Sequence, residues 1–132
     1  MSATLIDTSV GVPLLLAAHP AHDHVMSWAA GRHLAFAGHA MFETYAVLTR
    51  LPVNSRLIPE QAQRLIEQLD KGSTSLSLSG GETIRLMARH DITGGQVYDA
   101  LVALAATGRT LATRDQRALG LYRKLGIDTL LV

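Results

Sequence analysis

The chain has 132 residues, 48% of them hydrophobic and only 5% aromatic, and carries a net charge of +1. That length suits a single domain spanning residues 1–132, with a core of Leu, Val, Ile and Ala; the small charge argues neither for nor against nucleic acid. The absence of cysteine excludes disulfides, zinc–thiolate centres and thiol nucleophiles.

In chain order, Ala3–Ile6 reads as a short apolar strand. Asp7, Thr8 and Ser9 then offer an N-cap for a helix running to Ala18. Pro20–Ala30 is a second helix ended by Gly31, and Leu34–Ala37 a second strand. Gly38–Leu51 is helical and stops before Pro52. Pro59 opens a helix to Asp70, with Gly72 beyond it. Leu76 and Leu78 alternate with serine, so 74–78 reads as a weak third strand. Gly81–His90 and Val97–Thr107 are helices. Thr110–Ala112 is a fourth strand, Arg114–Leu125 a helix, and Asp128–Val132 closes the sheet. Short apolar runs alternating with helices predict an α/β fold around a parallel sheet. No apolar run reaches the ~18 residues of a membrane span. The N-terminus lacks the basic and apolar segments of a signal peptide. A cytoplasmic location is expected from the missing cysteines, without excluding secretion.

The informative feature is where the acids stand. Asp7 is the only charge in residues 1–18, Glu43 the only formal charge in 34–48, and Asp99 the only charge in 92–108. Asp115 follows the apolar run at 110–112. A carboxylate among apolar neighbours is costly to bury unless paired, hydrogen-bonded or metal-bound. Asp7 and Asp115 each follow a strand, where open α/β sheets place ligands. If those strands are neighbours, the two acids face one crevice. Glu43 and Asp99 sit in the N-terminal halves of helices, where negative charge is favoured. Four converging carboxylates form an oxygen-only site suited to Mg²⁺ or Mn²⁺. Taken singly, each has a plain alternative: Asp7, Asp99 and Asp115 as helix caps, Glu43 as a surface residue. Loss of charge at Asp7 or Asp99 is expected to relieve repulsion within such a cluster.

Five histidines (His19, His22, His24, His33 and His39) precede residue 40. They lack metal-binding spacing and read as solvated residues. Trp28 reads as a core anchor. Arg50, Arg114 and Arg117 are candidates for gripping phosphate or pairing with the acids.

The segments LIDTSV at 5–10, FETYAVLTR at 42–50, VYDALVALAA at 97–106 and TLATRD at 110–115 together resemble the PIN-domain family, and within it the VapC-type toxin ribonucleases of type II toxin–antitoxin systems. Asp7-Thr8-Ser9, Glu43 with Leu48 and Arg50, Tyr98-Asp99-Ala100-Leu101, and Thr113 with Asp115 carry the likeness. The resemblance implies a three-layer α/β/α sandwich with a short central parallel sheet. It implies a metal-dependent endoribonuclease in which Asp7, Glu43, Asp99 and Asp115 are catalytic and bind Mg²⁺ or Mn²⁺. Thr8, Ser9, Thr113 and Arg114 would then position phosphate or the acids. The implied substrate is structured RNA, with tRNA or rRNA loops as targets. Also implied are a cognate antitoxin, a homodimer, and a toxin–antitoxin complex that binds promoter DNA through the antitoxin. Residues 53–89 carry no motif of the family.

Three other functions compete. An aspartate-based phosphatase wants a second Asp two residues after the first, where Ser9 stands. A phospho-receiver wants an acceptor Asp and a late Lys that Asp70 and Lys124 fit poorly. A catalytically inactive binding module on the same fold is disfavoured by the intact set of acids.

Overall fold

The computed structural model describes residues 3–132. Its sheet has four parallel strands, β1 (Thr4–Ile6), β2 (Leu34–Phe36), β3 (Thr110–Thr113) and β4 (Asp128–Leu131), in the order β2-β1-β3-β4. Leu5 lies opposite Ala35 and Leu111, and Ile6 opposite Phe36 and Ala112. All of β2, and Leu5, Ile6, Leu111, Ala112 and Thr113, are buried. Neighbouring residues of a strand face opposite sides, so both faces of the sheet are covered and the architecture is a three-layer α/β/α sandwich. The covering helices are α1 (Thr8–Leu15), α2 (His22–Ala29), α3 (Ala40–Arg50), α4 (Pro59–Leu69), α5 (Gly80–Arg89), α6 (Gln96–Ala105) and α7 (Gln116–Lys124).

Two differences from the sequence reading have physical causes. Residues 74–78 do not form a strand; Thr74 alone bridges to Ala37. The outer edge of β2 is already occupied. The Asp70 carboxylate accepts the Phe36 N–H at 2.9 Å, and Lys71 and Thr74 donate to Leu34 O and Phe36 O. A side chain has taken the place of a strand carbonyl, which blunts the edge. The first helix stops at Leu15 rather than Ala18. His22 Nδ1 lies 2.8 Å from the Pro13 carbonyl, which a further helical turn would have claimed.

Gly11 sets how closely α1 approaches its neighbours. A Cβ there would stand 2.7 Å from the Phe36 ring and 2.9 Å from Thr44 Oγ1. The missing side chain lets α1 lie close to β2 and α3, which brings the residues that flank Asp7 and Glu43 into one neighbourhood. Thr44 is fully buried and returns its hydroxyl to Ala40 O at 2.8 Å. A smaller cluster of Met87, Ile92 and Ala100 joins α5 to α6.

Candidate active site

Parallel pairing puts the carboxyl ends of β1 and β3 side by side, and each strand ends into a helix cap. Asp7 caps α1 and Asp115 caps α7. Glu43 and Asp99 enter from the first turns of α3 and α6. Asp7, Glu43, Asp99 and Asp115 line one cavity of about 250 Å³, together with Thr8 and Tyr122.

Asp7 is held on every side. It is 4% exposed. Its Oδ1 accepts the Ser9 N–H at 3.0 Å and the Ser9 hydroxyl at 2.6 Å; its Oδ2 accepts the Thr113 hydroxyl at 2.6 Å and the Tyr122 hydroxyl at 2.9 Å. Four donors from three residues hold the carboxylate in one orientation. Ser9 and Thr113 each have one hydroxyl proton, and both protons go to Asp7. Their oxygens, 3.2 Å apart, therefore meet as acceptors. Each takes a backbone N–H instead, Ser9 from Arg114 at 2.7 Å and Thr113 from Asp115 at 3.0 Å. Burial pushes the Asp7 carboxyl above the ordinary range, and the Ser9, Thr113 and Tyr122 bonds pull the other way.

Glu43 and Asp99 differ. Among the described residues neither makes a side-chain hydrogen bond, and Glu43 Oε1 is buried without a partner. His39 Nε2 lies 3.7 Å from Glu43 Oε1, too far for a hydrogen bond. Burial raises the pKa of Glu43; His39 opposes this, while Asp99 and Asp7 add to it. Burial also raises Asp99, reinforced by Asp115 and Asp7 and opposed by Arg117. The acids thus feel one another across the cavity. Asp115 accepts the Arg117 N–H at 3.0 Å, and its ion pair with the exposed Arg117 side chain is a loose 3.8 Å. The Tyr122 hydroxyl is pushed far up by its own burial and by the adjoining carboxylates, so it stays a proton donor.

The other sequence-predicted residues fall at varying distances from the chemistry. Ser9 and Thr113 orient Asp7. Thr8 reaches Ala40 O at 3.4 Å, at the start of α3. The backbone of Arg114 serves Ser9, while its buried Nε has no partner. Trp28 packs against the core with the Arg32 guanidinium 4.8 Å from its ring centroid. His39 is not a merely solvated residue: it stands beside Glu43 and stacks on Tyr98, ring centroids 5.4 Å apart. Sequence reasoning missed Tyr122. It lies two turns after Asp115, sharing a buried helix face with Ala118, and a buried tyrosine hydroxyl needs a partner.

The donor set suits a hard divalent cation. It is all oxygen, it concentrates negative charge, and it leaves a buried Glu43 oxygen without a bond. Among the described residues no three acidic or histidine side chains stand close enough to make a finished cage. The acids surround a space instead, so an ion there would complete its shell with water or substrate oxygen, as Mg²⁺ commonly does.

A parallel α/β/α sandwich with four acids at the strand ends defines a class, and the profile of the PIN domain matches residues 4–124. The chain belongs to the PIN-domain family, among the VapC-type ribonucleases. It is 50% identical over 125 residues to ribonuclease VapC27 of Mycobacterium tuberculosis, covering 92% of this chain and 91% of the relative. It is 39% identical over 132 residues to ribonuclease VapC40 of the same organism, covering 96% of each chain. The crystal structure of M. tuberculosis VapC20, a toxin that cleaves the sarcin–ricin loop, superposes with a TM-score of 0.62 at 17% identity, covering 95% of this chain and 96% of that one. That last likeness concerns the fold.

Proposed function

We propose that this chain is the toxin of a toxin–antitoxin pair, an endoribonuclease that uses Mg²⁺ or Mn²⁺ to hydrolyse phosphodiester bonds in structured RNA, with tRNA and rRNA loops as targets. The observation that carries the reading is the single cavity lined by Asp7, Glu43, Asp99 and Asp115, with an unpartnered Glu43 oxygen beside it. The 50% identity to a named ribonuclease supports it.

The four acids would hold the ion. When bound, it supplies a water nucleophile near neutral pH and neutralises charge on phosphate oxygens. Asp7, fixed by four donors, contributes a charge that cannot swing away. Glu43 and Asp99 contribute oxygens not committed elsewhere. Glu43, its pKa raised by burial, is placed to take a proton from the attacking water in its ionised form. Ser9, Thr113 and Tyr122 keep Asp7 in place. The Arg114 guanidinium, with its unpartnered Nε, serves the RNA backbone.

The same geometry disfavours an aspartyl-phosphate mechanism, because Ser9, whose hydroxyl is bound to Asp7, stands where such an enzyme would carry its second Asp. No helix among the described residues is long and apolar enough to cross a membrane. The reading includes a cytoplasmic location and a homodimer. It also includes an antitoxin that covers the crevice with a basic side chain and carries the complex to promoter DNA. Purified protein should cut RNA in Mg²⁺ and stop in EDTA; undiminished cleavage in excess chelator would rule this mechanism out. Co-expression of the neighbouring antitoxin gene should restore growth, and sedimentation should report about twice the 14.2 kDa chain mass.

A further inference from the structure

The chain has only six Phe, Trp and Tyr residues. Three of them (Phe42, Tyr45 and Tyr98) are exposed, and Phe42 and Tyr98 are 68% and 53% accessible. Each of these two directly precedes an uncommitted acid: Phe42 precedes Glu43, and Tyr98 precedes Asp99. His39 links the two neighbourhoods, with its ring 6.3 Å from Phe42, stacked on Tyr98, and near the Glu43 carboxylate. His39 and Phe42 also line a second cavity of about 340 Å³. Its walls are His39, Phe42 and Leu101, and its rim is the segment Ser73–Leu76, with no acidic residue lining it. Thr74 Oγ1, on that rim, is buried and has no hydrogen-bond partner.

We propose that this cavity receives one unpaired nucleobase of the RNA, flanking the phosphodiester that the acids attack, with His39 and Phe42 as stacking surfaces and Thr74 Oγ1 reading the base edge. The inference rests on the ribonuclease reading and names how that site selects its substrate. An aromatic and aliphatic wall with an orphan hydroxyl is what a flat heterocycle with polar edges satisfies. The rim comes from residues 73–76, inside the stretch that carries none of the family motifs. The catalytic acids and the base-reading segment are therefore separate parts of the chain, free to vary independently.

The test uses the full chain and a hairpin RNA pool with a randomised loop. Products formed in Mg²⁺ are sequenced at their 5′ ends, and hairpin binding is followed by fluorescence anisotropy in EDTA. The wild type should prefer one base class within two nucleotides of the cut. Phe42→Ala should weaken hairpin binding and that preference about tenfold, the scale of one base–aromatic stack. Thr74→Val, which keeps shape and loses the hydroxyl, should flatten the preference about fivefold. Cleavage with a base preference that neither variant changes would overturn the pocket and leave the ribonuclease standing. Phe42-dependent hairpin binding by a protein that never cuts would overturn the ribonuclease and keep the pocket. A Phe42→Ala protein that sediments as half the wild-type mass, with unchanged base preference, would assign this face to a second copy of the chain and overturn the proposal.

Discussion

The two halves of the acidic site are built in opposite ways. The strand half, Asp7 and Asp115, is hydrogen-bonded throughout: Asp7 takes four donors and Asp115 caps its helix. The helix half, Glu43 and Asp99, faces the same cavity with no side-chain hydrogen bond among the described residues. Hydrogen bonds offset part of the desolvation that raises Asp7, whereas desolvation and mutual repulsion raise Glu43 and Asp99 with no side-chain bond to oppose them among the described residues. One half is scaffold as well as site. The other carries its charge with no side-chain bond among the described residues.

The largest expected effect separates the halves by activity and stability together. Asp99→Asn should lower RNA cleavage by more than about a hundredfold, beyond the roughly 10–100-fold typical of a group that only supports metal ligands. The same change should raise the melting temperature of the metal-free protein, because a repelled charge is removed. A lower melting temperature would show that Asp99 is held by contacts of its own. Asp7→Asn should also abolish cleavage, yet it should destabilise the fold by about 2–4 kcal/mol, since an amide NH₂ must then face a hydroxyl donor. Denaturant titration of the two variants checks the opposite signs, and equal signs would erase the distinction.

Tyr122→Phe is the next step down. It removes one of the four donors to Asp7 and leaves the ring in the core. Cleavage and Mg²⁺ affinity should each fall roughly 10–100-fold, read by calorimetric titration and by the Mg²⁺ dependence of the rate. An unchanged Mg²⁺ affinity would show that three donors suffice to place Asp7.

The smallest effect is the pH dependence of the metal-free protein. Asp7, Glu43 and Asp99 have folded pKa values raised above their ordinary ones near 4. The folded state then binds more protons than the unfolded one. Stability is greatest below the unfolded pKa and declines as pH rises through the folded values. Thermal melts should decline modestly from about pH 4 upward, and added Mg²⁺ should reverse the decline. A flat profile without metal would indicate that the repulsion is screened by solvent.

Much of this protein was legible in one dimension. Apolar runs of strand length alternating with helices announce a parallel sheet, because such strands are buried on both faces. Asp7, Glu43 and Asp99 stood out because each is a lone charge in apolar surroundings, and Asp115 because it directly follows an apolar run; that pattern survives without coordinates. The strand expected at 74–78 shows where local pattern runs out. Alternating Ser and Leu mark a ribbon that is half buried, but only the folded chain reveals that Asp70 and Lys71 already serve the edge of β2.

What the sequence determined by itself was a parallel α/β class and the placing of four candidate acids, since both rest on local periodicity and on the cost of burying charge; the three-layer sandwich and the shared role of the acids came with the family resemblance. Tertiary structure alone decided how those acids differ. The hydroxyls that hold Asp7 come from residues 9, 113 and 122. The wall and rim of the base-sized cavity come from residues 39, 42, 74 and 101. Hydrogen bonds reach only about 3 Å, so which groups satisfy a carboxylate, and which leave it bare, depends on distances that no linear spacing encodes.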